Sequence, residues 1–92
     1  MDKQVKEILC ITQEECAEVV RAISKVFRFG AENEWNGQTN KEHLEEELGD
    51  VKAMLHLLEM SGIVSEENVM KAADAKMEKL AKWSNIDLSK DK

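Results

Sequence analysis

Five acidic residues stand out by their spacing: Glu14, Glu15 and Glu18 within TQEECAEV, and Glu47 with Asp50 within LEEELGDV. On a helix, a three-residue separation places two carboxylates on one face about one turn apart. Oxygen donors with no nearby cysteine or histidine cluster suit a hard cation, Mg²⁺ with Mn²⁺ as a substitute, rather than zinc. Projection at about 100° per residue tests whether these acids merely solvate a surface. With Ile8 at zero, the apolar arc of the first predicted helix spans about 0° to 120°, whereas Glu15 falls at about 340°, Glu18 at about 280° and Glu14 at about 240°. With Glu47 at zero, Leu44, Leu48, Val51, Met54, Leu55 and Leu58 lie between about 340° and 100°, so Glu47 falls inside the buried arc and Asp50, at about 300°, on its rim. A carboxylate facing an apolar interior takes up a proton or requires a cation. Two facing pairs, Glu15 with Glu18 and Glu47 with Asp50, would make a four-carboxylate pocket. The bland alternative is that Glu15 and Glu47 reach past the core edge to pair with lysines.

Three helices must position these groups. From Lys3 to Phe29, Val5, Ile8, Leu9, Cys16, Val19, Val20, Ile23, Val26 and Phe27 recur at three- and four-residue spacing, and Gly30 supplies a stop. The stretch from Gly30 to Gln38 has no periodicity and reads as an exposed loop carrying Trp35. Thr39 with Glu42 fits a capping box for a second helix running to about Met60. Ser61 and Gly62 break the pattern, and Ser65 caps a third helix running to about Trp83. A short polar tail follows, in which Ile86 and Leu88 either fray or dock on a neighbour. Gly49, between Glu47 and Asp50, weakens the second helix and predicts close backbone approach or room for a ligand. On the third helix Lys76 borders the apolar arc, within reach of the acidic pocket or a phosphate.

The 92 residues, with no proline and four glycines, allow one domain over 1–92, an all-α antiparallel bundle of three helices. A chain this short buries only about 60% of its unfolded surface, which predicts completion of the core by self-association, as a homodimer or a dimer of dimers. Nineteen acids against 13 bases give a net charge of −6, which argues against nucleic acid as a partner. No apolar run approaches the roughly 20 residues of a membrane span, and the N-terminal segment has no secretory core, so a soluble, cytoplasmic protein without a membrane partner is expected. Cys10 and Cys16 point about 120° apart on one helix and read as free thiols.

The string EECAE, followed after 28 residues by ELGD, resembles the EExxE…ExxD signature of the MazG-like, all-α nucleoside triphosphate pyrophosphohydrolases, and the similarity runs from about Ile8 to Trp83. This resemblance implies a dimerising bundle in which Glu15, Glu18, Glu47 and Asp50 hold Mg²⁺. It also implies cleavage of a nucleoside triphosphate between its α and β phosphates. Glu14 completes the motif, and Glu14 or Glu15 would accept the proton of the attacking water. The segment KMEKLAKW resembles the family's C-terminal basic stretch; Lys76 matches a phosphate-contacting lysine, whereas Leu80 departs from the usual asparagine. Lys25 either helps neutralise the outer phosphates or only aids surface solubility, and Trp35 either stacks on the base or docks against a partner subunit. His43 and His56 share no metal spacing and are assigned no chemistry. Two other readings compete. Phosphoribosyl-ATP pyrophosphohydrolase has a similar acidic motif, but its usual basic residue before the first glutamate pair is missing at Ile11, Thr12 and Gln13. A noncatalytic helical dimerisation module would use the acids only for solvation.

Overall fold

Asp2 opens the first helix by accepting hydrogen bonds from the backbone N–H groups of Gln4 and Val5, which otherwise have no partner in the first turn. In the computed structural model, which describes residues 1–90, this helix, α1, spans Lys3–Phe29. It ends at Gly30, whose φ of 93° is a conformation that glycine adopts without strain. α2 spans Asn40–Met60 and α3 spans Glu66–Trp83. Both begin at the expected caps: Thr39 and Glu42 form a reciprocal capping box, and Ser65 accepts from the Asn68 N–H at 3.1 Å. A short 3₁₀ turn, Leu88–Lys90, closes the described chain; Leu88 is half-buried and Ile86 exposed. The last two residues of the predicted tail, 91 and 92, lie outside the described residues.

The connection from α1 to α2 is not the irregular loop that its composition predicts. It holds an antiparallel hairpin, β1 (Glu34–Trp35) paired with β2 (Gln38–Thr39). Asn36 and Gly37 form its two-residue turn with φ of 56° and 78°, the doubly left-handed geometry that suits a tight hairpin and that asparagine–glycine readily adopts. Asn40 latches this hairpin to the helices. Its side chain donates to the Gly30 carbonyl at 2.9 Å, and its backbone N–H donates to the Asn33 carbonyl at 3.1 Å.

Gly30 therefore meets Asn40 at one end of the α1–α2 pair, while Glu15 meets Glu47 and Asp50 further along. The two helices run antiparallel, as the all-α bundle requires. Their contact uses only part of the expected apolar arc. On α1 the buried or half-buried side chains are Val5, Ile8, Thr12, Glu15, Glu18, Val19, Ala22, Lys25 and Val26; they span about 260° to 60° on the wheel, displaced toward the acid stripe. The other half of the arc, Leu9, Cys16, Val20 and Phe27, lies at about 80° to 120° and is exposed. On α2, likewise, Leu48 is exposed although its wheel position predicts burial.

Among the described residues only Ile8, Ala22 and Met54 form a buried apolar core, and α3 buries none of its residues. The Cα radius of gyration is 16.0 Å, against about 12 Å for a compact chain of this length. A single protomer thus leaves much of its apolar surface in water. Among the described residues, no helix is long and apolar enough to cross a membrane. Cys10 and Cys16 are free and exposed.

Candidate active site

The displaced packing of α1 turns Glu15 toward α2. There, ligand oxygens of Glu15, Glu47 and Asp50 all lie within 4.8 Å of one another. Glu15 and Glu47 are half-buried, and Asp50 stands at the exposed rim, matching the wheel positions of the three acids. Glu18 lies outside this trio; its Oε2 is 3.4 Å from Arg21 Nη2. Glu14 is exposed. Gly49 is not a point of close approach within the protomer: a Cβ built there meets nothing within 4 Å.

Gathering carboxylates in this way has an electrostatic consequence. Partial burial pushes the Glu15 carboxyl above its ordinary value, and the charges of Asp50, Glu47, Glu18 and Glu14 push it further in the same direction. The folded protein therefore holds the Glu15 proton more tightly than the unfolded chain does. Stability contributed by this group is full below the ordinary value of 4.5 and is lost as pH rises through the raised one. Glu15→Gln removes that loss. In metal-free buffer the variant should melt at a higher temperature than wild type at neutral pH, with the gap closing in acid. Equal melting curves across the pH range would show that the acids do not repel one another.

The cluster's donor set fits a divalent cation. Three carboxylates from two helices offer hard oxygen ligands and repel one another without a counter-charge, the combination that a hard ion such as Mg²⁺ satisfies. Glu15, Glu47 and Asp50 would hold it, with Glu18 one turn further along α1.

Beside the cluster, the end of α1, the hairpin and the start of α2 enclose an open cavity of about 590 Å³, lined among others by Lys25, Phe29, Trp35, Gln38, Asn40 and His43. Aromatic faces alternate here with side-chain amides, the pairing that suits a flat heterocycle bearing polar edges. Lys25 and Trp35, predicted as substrate contacts on separate grounds, share this cavity, with Trp35 on a hairpin strand rather than in a loop. Lys76 is exposed on α3.

His43 connects cavity and cluster. Its Nε2 lies 3.0 Å from Glu47 Oε2, and its ring also lines the cavity. The sequence reading missed this residue, although its four-residue distance from Glu47 on one helix was the available signal. Asn40 was missed as well. Its position on the buried face of α2 marks it as a polar residue in need of a partner.

Acids from two antiparallel helices thus converge beside an aromatic and amide-lined cavity in an all-helical chain. The family model of the MazG nucleotide pyrophosphohydrolase domain matches residues 3–85, and the chain belongs to that family. Its members are metal-dependent. No curated protein and no solved structure matches the chain significantly.

Proposed function

We propose that the protein hydrolyses a nucleoside or deoxynucleoside triphosphate to the monophosphate and pyrophosphate in a Mg²⁺-dependent reaction, acting on free nucleotides in the cytoplasm and not on nucleic acid. The observation that carries this reading is the meeting of Glu15, Glu47 and Asp50 across two helices in a chain of the MazG family. When bound, the cation supplies polarisation of the phosphoryl group and neutralises charge on the pyrophosphate leaving group. The chain's own residues do the rest. Glu15, Glu47 and Asp50 would hold the ion, and Glu18 would be a fourth ligand. Glu15 would serve that ion as an ionised carboxylate, the form a bound cation would favour. Glu14 next to it is exposed and exerts the smallest of the four charge effects on Glu15, which leaves Glu14 to accept the proton as a water oxygen bonds to phosphorus and the α–β bridge breaks. Lys25 and Lys76 offset charge on the outer phosphates, and Trp35 stacks on the base.

The active unit is a homodimer or a dimer of dimers. The exposed stripe of α1 and the unburied α3 supply its interface, which is the support for this assembly. A panel of the common ribo- and deoxyribonucleoside triphosphates, together with phosphoribosyl-ATP, tests the reaction. With Mg²⁺, at least one free triphosphate should release pyrophosphate, and chelation should stop the release. Turnover of phosphoribosyl-ATP alone would replace the proposal with the biosynthetic activity. No turnover, together with a melting temperature indifferent to Mg²⁺, would leave a binding module.

A further inference from the structure

His43 precedes Glu47 by one turn of α2, and its Nε2 lies 3.0 Å from Glu47 Oε2, within reach for an imidazole N–H to hold that oxygen. The two side chains are 25% and 13% exposed, which separates them from the freely solvated ion pair of Lys71 and Glu67 on α3, at 72% and 78%. The terminal torsion of a glutamate is broad, so an unheld carboxylate swings. Glu47 has particular reason to swing, because Glu15 and Asp50 present like charge to it. A fixed N–H on one oxygen opposes that motion, and both the neutral and the protonated imidazole can supply it. The same residue forms part of the cavity wall, which Lys25 and Asn40 also line.

We propose that His43 is a positioning residue: it fixes the Glu47 carboxylate in the orientation that captures the divalent cation, and joins that orientation to the wall against which the nucleoside lies. This rests on the metal-dependent reading above. It differs from a simple cavity-wall role, in which His43 would touch substrate and leave the cation unaffected.

Titration calorimetry with Mn²⁺ alone, on the full chain without nucleotide, separates the two. His43→Leu should bind Mn²⁺ about 10- to 100-fold more weakly, the range typical when a hydrogen-bond partner of a metal ligand is lost. His43→Gln keeps an N–H within reach of Glu47 and should recover most of that affinity. In turnover, the kcat lost in His43→Leu should return as Mn²⁺ is raised. A role confined to the cavity wall would instead raise KM for the nucleotide at every metal concentration. If leucine disturbs α2, His43→Ala gives the same comparison. A folded variant lacking the imidazole that binds Mn²⁺ as tightly as wild type overturns the proposal. If Glu47→Gln also binds Mn²⁺ like wild type, the cation is not held at this cluster, and the metal reading falls together with the inference.

Discussion

Replacing Glu47 with glutamine should reduce pyrophosphate release by at least about 10³-fold, the rate equivalent of roughly 4 kcal/mol of lost transition-state stabilisation. Asp50→Asn should act in the same direction. The fold should survive both changes. Glutamine keeps the shape of Glu47 and still offers a carbonyl oxygen to the His43 N–H, so the partly buried side chain is not left without a partner. Each change also removes one of the charges that press on Glu15, which relieves repulsion in the metal-free protein. Activity and stability are thus expected to move oppositely, as in sites whose acids are arranged for function at the expense of the fold. Steady-state pyrophosphate release and thermal melting with and without Mg²⁺ measure both sides. A Glu47→Gln protein that is unfolded would show that the carboxylate is structural; one that is folded and fully active would remove it from the reaction.

The second large effect concerns association. Val20 and Phe27 are 67% and 85% exposed in the protomer, and they share the outer stripe of α1 with Leu9 and Cys16. Fully burying a side chain of this size contributes about 1.5 to 3 kcal/mol, so a few such residues at an interface decide whether so sparse a core holds. Val20→Glu should dissociate the assembly, because a charge forced into an apolar contact costs several kcal/mol when nothing pairs with it. The separated chains should melt at lower temperature and lose the concentration dependence expected of a folded oligomer. Sedimentation equilibrium and melting at several protein concentrations provide the check. A wild-type chain that remains a stably folded monomer on dilution would show that the stripe has no such role.

The helices were legible in the sequence because their signals are local. Thr39 with Glu42, Ser65, and Gly30 after Phe29 mark ends through bonds within a few residues, and these ends recur in the structure. Glu15 and Glu47 were legible too, since each interrupts an apolar face. Which half of a wide apolar arc finds a partner is not a local property. On α1 the choice fell to the side of Ala22, which is fully buried and whose small side chain suits close helix contact, and Leu9, Val20 and Phe27 were left outside. The hairpin had its own local signal in Asn36-Gly37, but two-residue strands are too short for an alternating pattern to register. His43 escaped because the only metal spacing weighed for it was with His56, whereas its neighbours are acids of its own helix: its ligand nitrogen lies within 4.8 Å of carboxylate oxygens of Glu46 and Glu47.

The cavity between the hairpin and the helix ends is built from one contiguous stretch, residues 25 to 43. Glu14, Glu15 and Glu18 precede that stretch, and Glu47 and Asp50 follow it. The cavity stretch is thus an insertion between the two halves of the acid cluster, with Lys25 and His43 at its two ends standing next to those acids in the chain. Under the proposed function, exchanging residues 26–42 between helical scaffolds of this kind should alter the choice of nucleotide while leaving the flanking acids, Lys25 and His43 in the recipient.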